Sequence, residues 1–351
     1  MTTLSFAQTL VVWQEQRGRM DLPWQRFRTP YERWLSEVML QQTQVETVIP
    51  YYERFLKTFP TVESLAAAQE DAVMKLWAGL GYYSRGRNLH RAAKMVVNDL
   101  KGLFPDTAAG LAELPGVGPS TAAAVAAFTS GEAREPMIDG NVKRVLARIH
   151  AVPGRVGEKA FEKLLEAAAR RELPGSDIIA PYTQGLMDLG SLVCRRKAPN
   201  CPACPVQRFC RAHAEGTPEV YPQPKTARPK TERWLVLVFA STAEGLWFAP
   251  VEGRIWKGLQ APIVLERKEA DWLKRPELPQ GFREPVALGE SRVHELTHQR
   301  LHLRALFCRN ADAFALRSAG LHPAGLHPER WPGLPAPVLE YAEELIKRQS
   351  V

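Results

Sequence analysis

The stretch Leu114-Pro-Gly-Val-Gly-Pro-Ser-Thr121 most restricts what this chain can fold into. An alanine-rich run follows it, and then Ile138-Asp-Gly-Asn-Val142. The pattern predicts two helices joined by a tight turn, because Gly116 and Gly118 permit backbone conformations that a side chain forbids. Pro119 suits the first turn of the second helix, where its missing N–H would have been unpaired anyway. That helix, expected over 120–129, aims its first N–H groups into the turn. Such an end is an anion site suited to a phosphodiester backbone. The same pattern also serves as a close-packed turn in a helical bundle. Asp139 lies beyond it, before Gly140-Asn141 and a helix expected over 142–148, where a capping role is the simplest reading.

A chain of 351 residues predicts two or more domains, and a hydrophobic content of 45% is that of a folded soluble protein. A net charge of +8 points to a polyanionic partner. No apolar run of about 18 residues is present, so no membrane span is expected. Met1-Thr-Thr-Leu-Ser-Phe6 lacks the layout of a signal peptide, which predicts a cytoplasmic location.

Residues 1–225 read as almost wholly helical. Phe6, Leu10 and Trp13 stripe a first helix, and Asp21-Leu-Pro-Trp24 breaks it. Thr29-Pro30 starts a second helix whose apolar face is Tyr31, Trp34, Leu35 and Val38. Val45, Val48, Ile49, Tyr52 and Phe55 mark a third, and Gly79-Leu-Gly81 separates later ones. The segment 216–232, rich in Pro, Lys and Thr, reads as a linker. Beyond it, Trp234-Leu-Val-Leu-Val-Phe239 and the alternation Leu301, Leu303, Ala305, Phe307 predict strands, and 338–346 a closing helix. The expected layout is a helical domain over 1–215, a linker over 216–232 and a smaller α+β domain over 233–351.

Cys194, Cys201, Cys204 and Cys210 are spaced x6, x2, x5. Four thiolates within 17 residues can close on one metal centre at little entropic cost. Zinc sites usually pair two C-x-x-C knuckles, whereas an iron–sulfur cluster held by four cysteines tolerates uneven spacing, so the spacing favours the cluster. Arg195, Arg196, Lys197, Arg208 and Arg211 make a basic collar suited to phosphates. Cys308 stands apart and reads as a small buried hydrophobe.

Glu37 lies at the edge of the apolar stripe of the second helix. A desolvated carboxyl there has a raised pKa and can act as a general acid, although pairing with Arg33 one turn earlier is the plainer reading. Together with Asp139 it suggests the two-carboxylate logic of glycosidic cleavage: one protonates the leaving group, the other stabilises an oxocarbenium-like ion. Gln41-Gln-Thr-Gln44 follows, rich in amides that can read base edges or simply end a helix.

These residues resemble the MutY family within the helix-hairpin-helix DNA glycosylases. The motifs are Leu22-Pro-Trp24, Trp34-Leu-Ser-Glu-Val-Met-Leu-Gln-Gln-Thr-Gln44, Gly79-Leu-Gly-Tyr-Tyr83, Leu114-Pro-Gly-Val-Gly118, Asp139-Gly-Asn-Val-Lys-Arg144, Met187-Asp-Leu-Gly190 and the cysteine loop 194–210. The resemblance implies a monomer that acts on double-stranded DNA. It would remove adenine mispaired with 8-oxoguanine or guanine in base-excision repair and carry one [4Fe–4S] cluster per chain. It implies that Glu37 protonates adenine N7, and that Asp139 stabilises the sugar cation with Asn141 assisting. Tyr82 and Gln42 would enter the base stack, with Thr43 and Leu80 beside them. Trp24, Leu40 and Gln184 would wall the adenine pocket. The hairpin, with Gly116, Gly118 and Ser120, would hold the DNA backbone. Ser120 stands where related bifunctional glycosylases such as endonuclease III carry a Schiff-base lysine, which implies simple hydrolysis. A bifunctional lyase for oxidised pyrimidines and a catalytically silent damage sensor are the rival readings. Lys143 is an incidental candidate for trapping an abasic product.

The C-terminal part resembles the NUDIX-like 8-oxoguanine reader of that family. Ile255-Trp-Lys-Gly-Leu259 with Pro262 is similar to its Leu-Trp-x-x-Leu…Pro segment. His294-Glu-Leu-Thr-His298 is similar to its His-x-Phe-Ser-His loop, with Leu296 and Thr297 replacing Phe and Ser. Thr297 keeps the hydroxyl, Leu296 loses the ring, and His298 matches directly. No Glu-rich NUDIX hydrolase helix is visible. Met20 departs from the basic residue the family often carries there.

Overall fold

The structure is a computed structural model that describes residues 4–226, 229–253, 255–278, 282 and 285–349. Linker residues 227–228 therefore lie outside the described residues. In chain order the helices are α1 (Phe6–Arg17), α2 (Pro30–Leu40), α3 (Val45–Thr58), α4 (Val62–Ala67), α5 (Glu70–Trp77), α6 (Tyr83–Asn98), α7 (Ala108–Ala112), α8 (Pro119–Thr129), α9 (Gly140–Ile149), α10 (Lys159–Glu172), α11 (Ile179–Leu192) and α12 (Arg211–Ala214). Strands β1 (Thr231–Thr242), β2 (Gly245–Pro250), β3 (Gln260–Ala261), β4 (Ile263–Arg267), β5 (Val286–Glu295) and β6 (Gln299–Cys308) follow. Helix α13 (Ala313–Ser318), strand β7 (His322–Pro323) and helix α14 (Ala336–Gln349) close the chain. No helix among the described residues is long and apolar enough to cross a membrane.

Two compact units result, Met1–Ala66 with Arg91–Thr226, and Ala67–His90 with Ala227–Val351. In the first, α2 starts as its sequence dictates: the Thr29 side chain caps it and Pro30 occupies the first turn. Tyr31, Trp34, Leu35, Val38 and Met39 are buried. Helix α8 carries six consecutive buried residues from Ala122 to Ala127, small enough for neighbours to approach on every side. The hairpin turn corrects one expectation. Gly116 is left-handed, with φ of 81°, as a turn glycine must be. Gly118 is extended, with φ of −84°, a conformation open to any residue. A Cβ on Gly118 would meet nothing, so neither its backbone angle nor local crowding requires a glycine there.

The segment after α12 is pinned to this unit. The Tyr221 carbonyl accepts from Arg148 Nε at 3.0 Å, and the Gln223 carbonyl accepts from the Val156 N–H at 3.1 Å. Proline-rich composition thus describes a strap whose backbone polar groups, at Tyr221, Gln223 and Pro224, find partners on α9 and the loop after it.

The second unit is built on a mixed sheet in the order β3-β2-β1-β6-β5, with β1 parallel to β6 and antiparallel to β4. Strand β1 is buried on both faces, which accounts for its unbroken apolar run. Leu235, Leu237 and Phe239 pack with Leu301, Leu303, Val338 and Tyr341 on one side. Val236, Val238 and Ala240 pack with Leu306, Cys308 and Leu316 on the other, where Cys308 is the buried hydrophobe expected of it.

Candidate active site

An open cleft of about 940 Å³ in the first unit gathers the expected chemistry from across the sequence. Its lining includes Trp24, Glu37, Leu40, Gln42, Thr43, Gly116, Gly118, Ser120, Asp139, Asn141 and Gln184. Glu37 arrives on the inner face of α2 and is 9% exposed. Its Oε1 lies 2.8 Å from Nη2 of Arg33, which is itself buried, so the plainer reading of this pair also holds. Trp24 is buried edge-on to Tyr52, at 5.6 Å between ring centroids, and its carbonyl faces Arg33 Nη1 at 3.3 Å. Burial pushes the Glu37 carboxyl above its ordinary range. Arg33 opposes the rise and the negative charge of Asp139 adds to it.

Asp139 is the N-cap of α9, accepting the Val142 N–H at 2.7 Å. It is therefore a cap that also faces the cleft. Burial raises its pKa, while the N–H groups of Val142 and Asn141 and the charges of Arg144 and Arg19 pull it back. Asn141 is held by Arg144, whose Nη2 donates to Asn141 Oδ1 at 2.9 Å and to the Gly190 carbonyl at 2.7 Å. Nε of Arg144 donates to the Cys194 carbonyl at 2.8 Å. Gly190 is required there, since a Cβ would come within 2.7 Å of Asn141 Cβ.

Gln42 follows the end of α2 with φ of 58° and is exposed. Gln41, whose role sequence reasoning missed, ties this corner to the hairpin: Nε2 donates to the Gly116 carbonyl at 3.2 Å and to Thr121 Oγ1 at 3.0 Å. Arg19 was also missed, and it lines the cleft while bonding Asp188. Lys143 departs from expectation. It is ion-paired with Glu162 and lines a neighbouring cavity, away from Glu37 and Asp139.

Comparison with known proteins bears on this geometry. Residues 35–171 match the HhH-GPD superfamily of base excision DNA repair proteins. The chain is 35% identical over 314 residues to an adenine DNA glycosylase of Buchnera aphidicola subsp. Acyrthosiphon pisum (strain APS), covering 88% of each. This chain belongs to the adenine DNA glycosylases. A human adenine DNA glycosylase is 42% identical over 221 residues, 59% of this chain and 39% of that one. Among solved structures, a thermostable thymine-DNA glycosylase matches with a TM-score of 0.52 and 27% identity, covering 60% of this chain and 95% of that chain. The helical unit therefore has the helix-hairpin-helix glycosylase fold.

This glycosylase brings its four clustered cysteines around one small apolar cavity. Cys194, Cys201, Cys204 and Cys210 are all half-buried and edge a space of about 20 Å³ with Val145, Leu189 and Val206. Among the described residues, no three Cys, His, Asp or Glu side chains are placed to grip a single ion. Arg148 Nη1, buried, lies 3.3 Å from Cys194 Sγ and donates to the Arg195 carbonyl at 2.7 Å.

In the second unit, Leu80 is buried whereas Tyr82 is exposed and left-handed, with φ of 47°. The Tyr82 hydroxyl lies 2.6 Å from Thr297 Oγ1. Leu296 is half-buried, Thr297 and His298 are exposed, and burial lowers the pKa of His294.

Proposed function

We propose that this chain hydrolyses the N-glycosidic bond of adenine mispaired with 8-oxoguanine or guanine in double-stranded DNA. It acts as a monofunctional enzyme of base-excision repair, as a monomer and in the cytoplasm. The observation that carries this is the shared cleft, in which Glu37 and Asp139 meet although one belongs to the second helix of the chain and the other to the ninth. An adenine inside a duplex cannot present its glycosidic bond, so the nucleotide swings out into the cleft, where Trp24, Leu40 and Gln184 wall it. The hairpin and its exposed Gly116 and Gly118 take the phosphates, with Gln42 and Thr43 at the gap.

Glu37, whose burial favours its protonated form, gives its proton to N7. The C1′–N9 bond then breaks, its electron pair leaving with adenine and a cation remaining on the sugar. The Asp139 carboxylate, fixed by the start of α9, faces that cation, with Asn141 set beside it by Arg144. Water adds at C1′ and loses a proton, leaving an abasic site. Ser120 offers no amine at the hairpin, Lys143 is paired with Glu162, and among the described residues no lysine lines the cleft to form an imine.

The four cysteines suit a [4Fe–4S] cluster: the donor set is all sulfur, four thiols within one short loop edge the same apolar space, and their uneven spacing is one a cluster tolerates. The iron–thiolate bonds would cross-link the loop, whose backbone holds Arg148 and Arg144 in turn. The second unit supplies a NUDIX-like reader of 8-oxoguanine, with Tyr82 and Thr297 adjacent and Leu296 and His298 flanking.

The deciding assay is base release from an 8-oxoguanine:adenine duplex. The expected product is an intact strand bearing an abasic site, cut only after alkali is added. Strand scission without alkali, with borohydride capture of the protein, would replace this reading with a lyase. No release of adenine would end both.

A further inference from the structure

Gln184 has a side chain whose two ends are chemically opposite, and the structure clamps both. Nε2 donates to Asp188 Oδ1 at 2.9 Å, and Asp188 is fully buried. A carboxylate only accepts, so the amide nitrogen is committed to that side. Asp188 is in turn held by Arg19, whose Nε reaches Oδ1 at 2.8 Å and whose backbone N–H reaches Oδ2 at 3.0 Å. Gly18 lets the chain come this close, because a Cβ there would lie 2.8 Å from Asp188 Oδ2. At the other end, Gln184 Oε1 faces Arg33 Nη2 at 3.5 Å, a cation with no acceptor to offer. Reversing the amide would set its NH2 against Arg33 and its oxygen against a carboxylate.

We propose that Arg19 and Asp188 are specificity-positioning residues that lock Gln184 with its carbonyl oxygen available to the base, so that the cleft selects a purine with an amino group at position 6. This rests on the reading of the cleft as an adenine pocket. The exocyclic amine of adenine is a donor and needs an acceptor. The 6-oxo group of hypoxanthine is an acceptor and would face the same oxygen unpaired. A buried mismatch of that kind costs more than a missing contact, so orientation alone can discriminate. Arg33 joins Gln184 to Glu37, which places the amine reader beside the proton donor.

The test compares single-turnover release of adenine and of hypoxanthine from otherwise identical 8-oxoguanine duplexes. Asp188→Asn keeps the shape but can donate to Gln184 Oε1, which frees the amide to turn over. The ratio of adenine to hypoxanthine rates is expected to fall by about tenfold or more against wild type. A parallel fall in both rates, or an unchanged ratio, would make Asp188 structural only and overturn the proposal. Gln184→Leu covers the case in which Asp188→Asn does not fold. It removes both ends of the amide and must also collapse the ratio, and retention of the wild-type ratio would show that Gln184 does not read the amine. Release of adenine by the wild type is judged separately, so failure of the adenine reading is distinguishable from failure of this one.

Discussion

Glu37 and Asp139 have the same functional group and share one cleft, but they enter it from different parts of a helix. Glu37 projects from within α2, where the backbone N–H groups are already spent on the helix ladder. Its close counter-charge among the described residues is Arg33, itself out of water. Asp139 sits where α9 begins, where N–H groups have no intrahelical partner and turn toward it. Arg144 and Arg19 add positive charge there. Burial raises both carboxyls, but only Asp139 has several groups that hold its anion. Under the proposed roles, position along a helix is what separates the proton donor from the cation stabiliser.

Each arm of this contrast can be broken separately. The largest effect is expected for Glu37→Gln, which keeps shape and neutrality but has no proton to give. Adenine release should slow by about a thousandfold or more while duplex binding persists. An unaltered rate would remove Glu37 from the chemistry. Asp139→Asn should slow release by about a hundredfold, since it removes the charge. Asn caps helices as well as Asp does, so thermal unfolding should shift by less than about 1 kcal/mol, and a large loss of stability would mean that the cap is the residue's main duty.

Gly190→Ala should act through Asn141 alone. The added methyl presses on Asn141 Cβ, and a loss of about 1–3 kcal/mol in chemical denaturation is expected, with a smaller fall in rate. The smallest effect belongs to the other unit. Tyr82→Phe and Thr297→Val each remove one hydroxyl of an exposed pair, so each should cost about 1 kcal/mol or less in binding to the lesion duplex. The double variant should match either single one, and additive losses would show that the hydroxyls act apart.

Much of the site was legible because local rules govern it. Thr29-Pro30 and Asp139 announce helix starts through capping chemistry, and Gly116 announces a turn through its backbone freedom, with no tertiary knowledge needed. What escaped was pairing over distance. Arg19 and Asp188 are 169 positions apart, and no periodicity links them. Lys143 follows Asp139 by four positions, yet one ion pair with Glu162 of α10 takes its side chain elsewhere. Gly118 misled for another reason, since in sequence a glycine in an extended conformation reads the same as one held at a positive φ. The segment 67–90 is helical in pattern but packs with the sheet unit, a choice made by Met74 joining the sheet's apolar cluster.

The central claim is that the two carboxyls work in opposite protonation states within one cleft, and the pH profile of single-turnover adenine release tests it most directly. Glu37 acts as the acid, so the rate should fall as pH rises through its elevated pKa, with the alkaline limb above the ordinary carboxylate value of 4.5. Asp139 acts as the anion, so the rate should also fall as pH drops through its own pKa. A bell with both limbs, losing its acid limb in Asp139→Asn, is the predicted result. A rate that ignores pH on the alkaline side, or an acid limb that survives in Asp139→Asn, would contradict the division of labour.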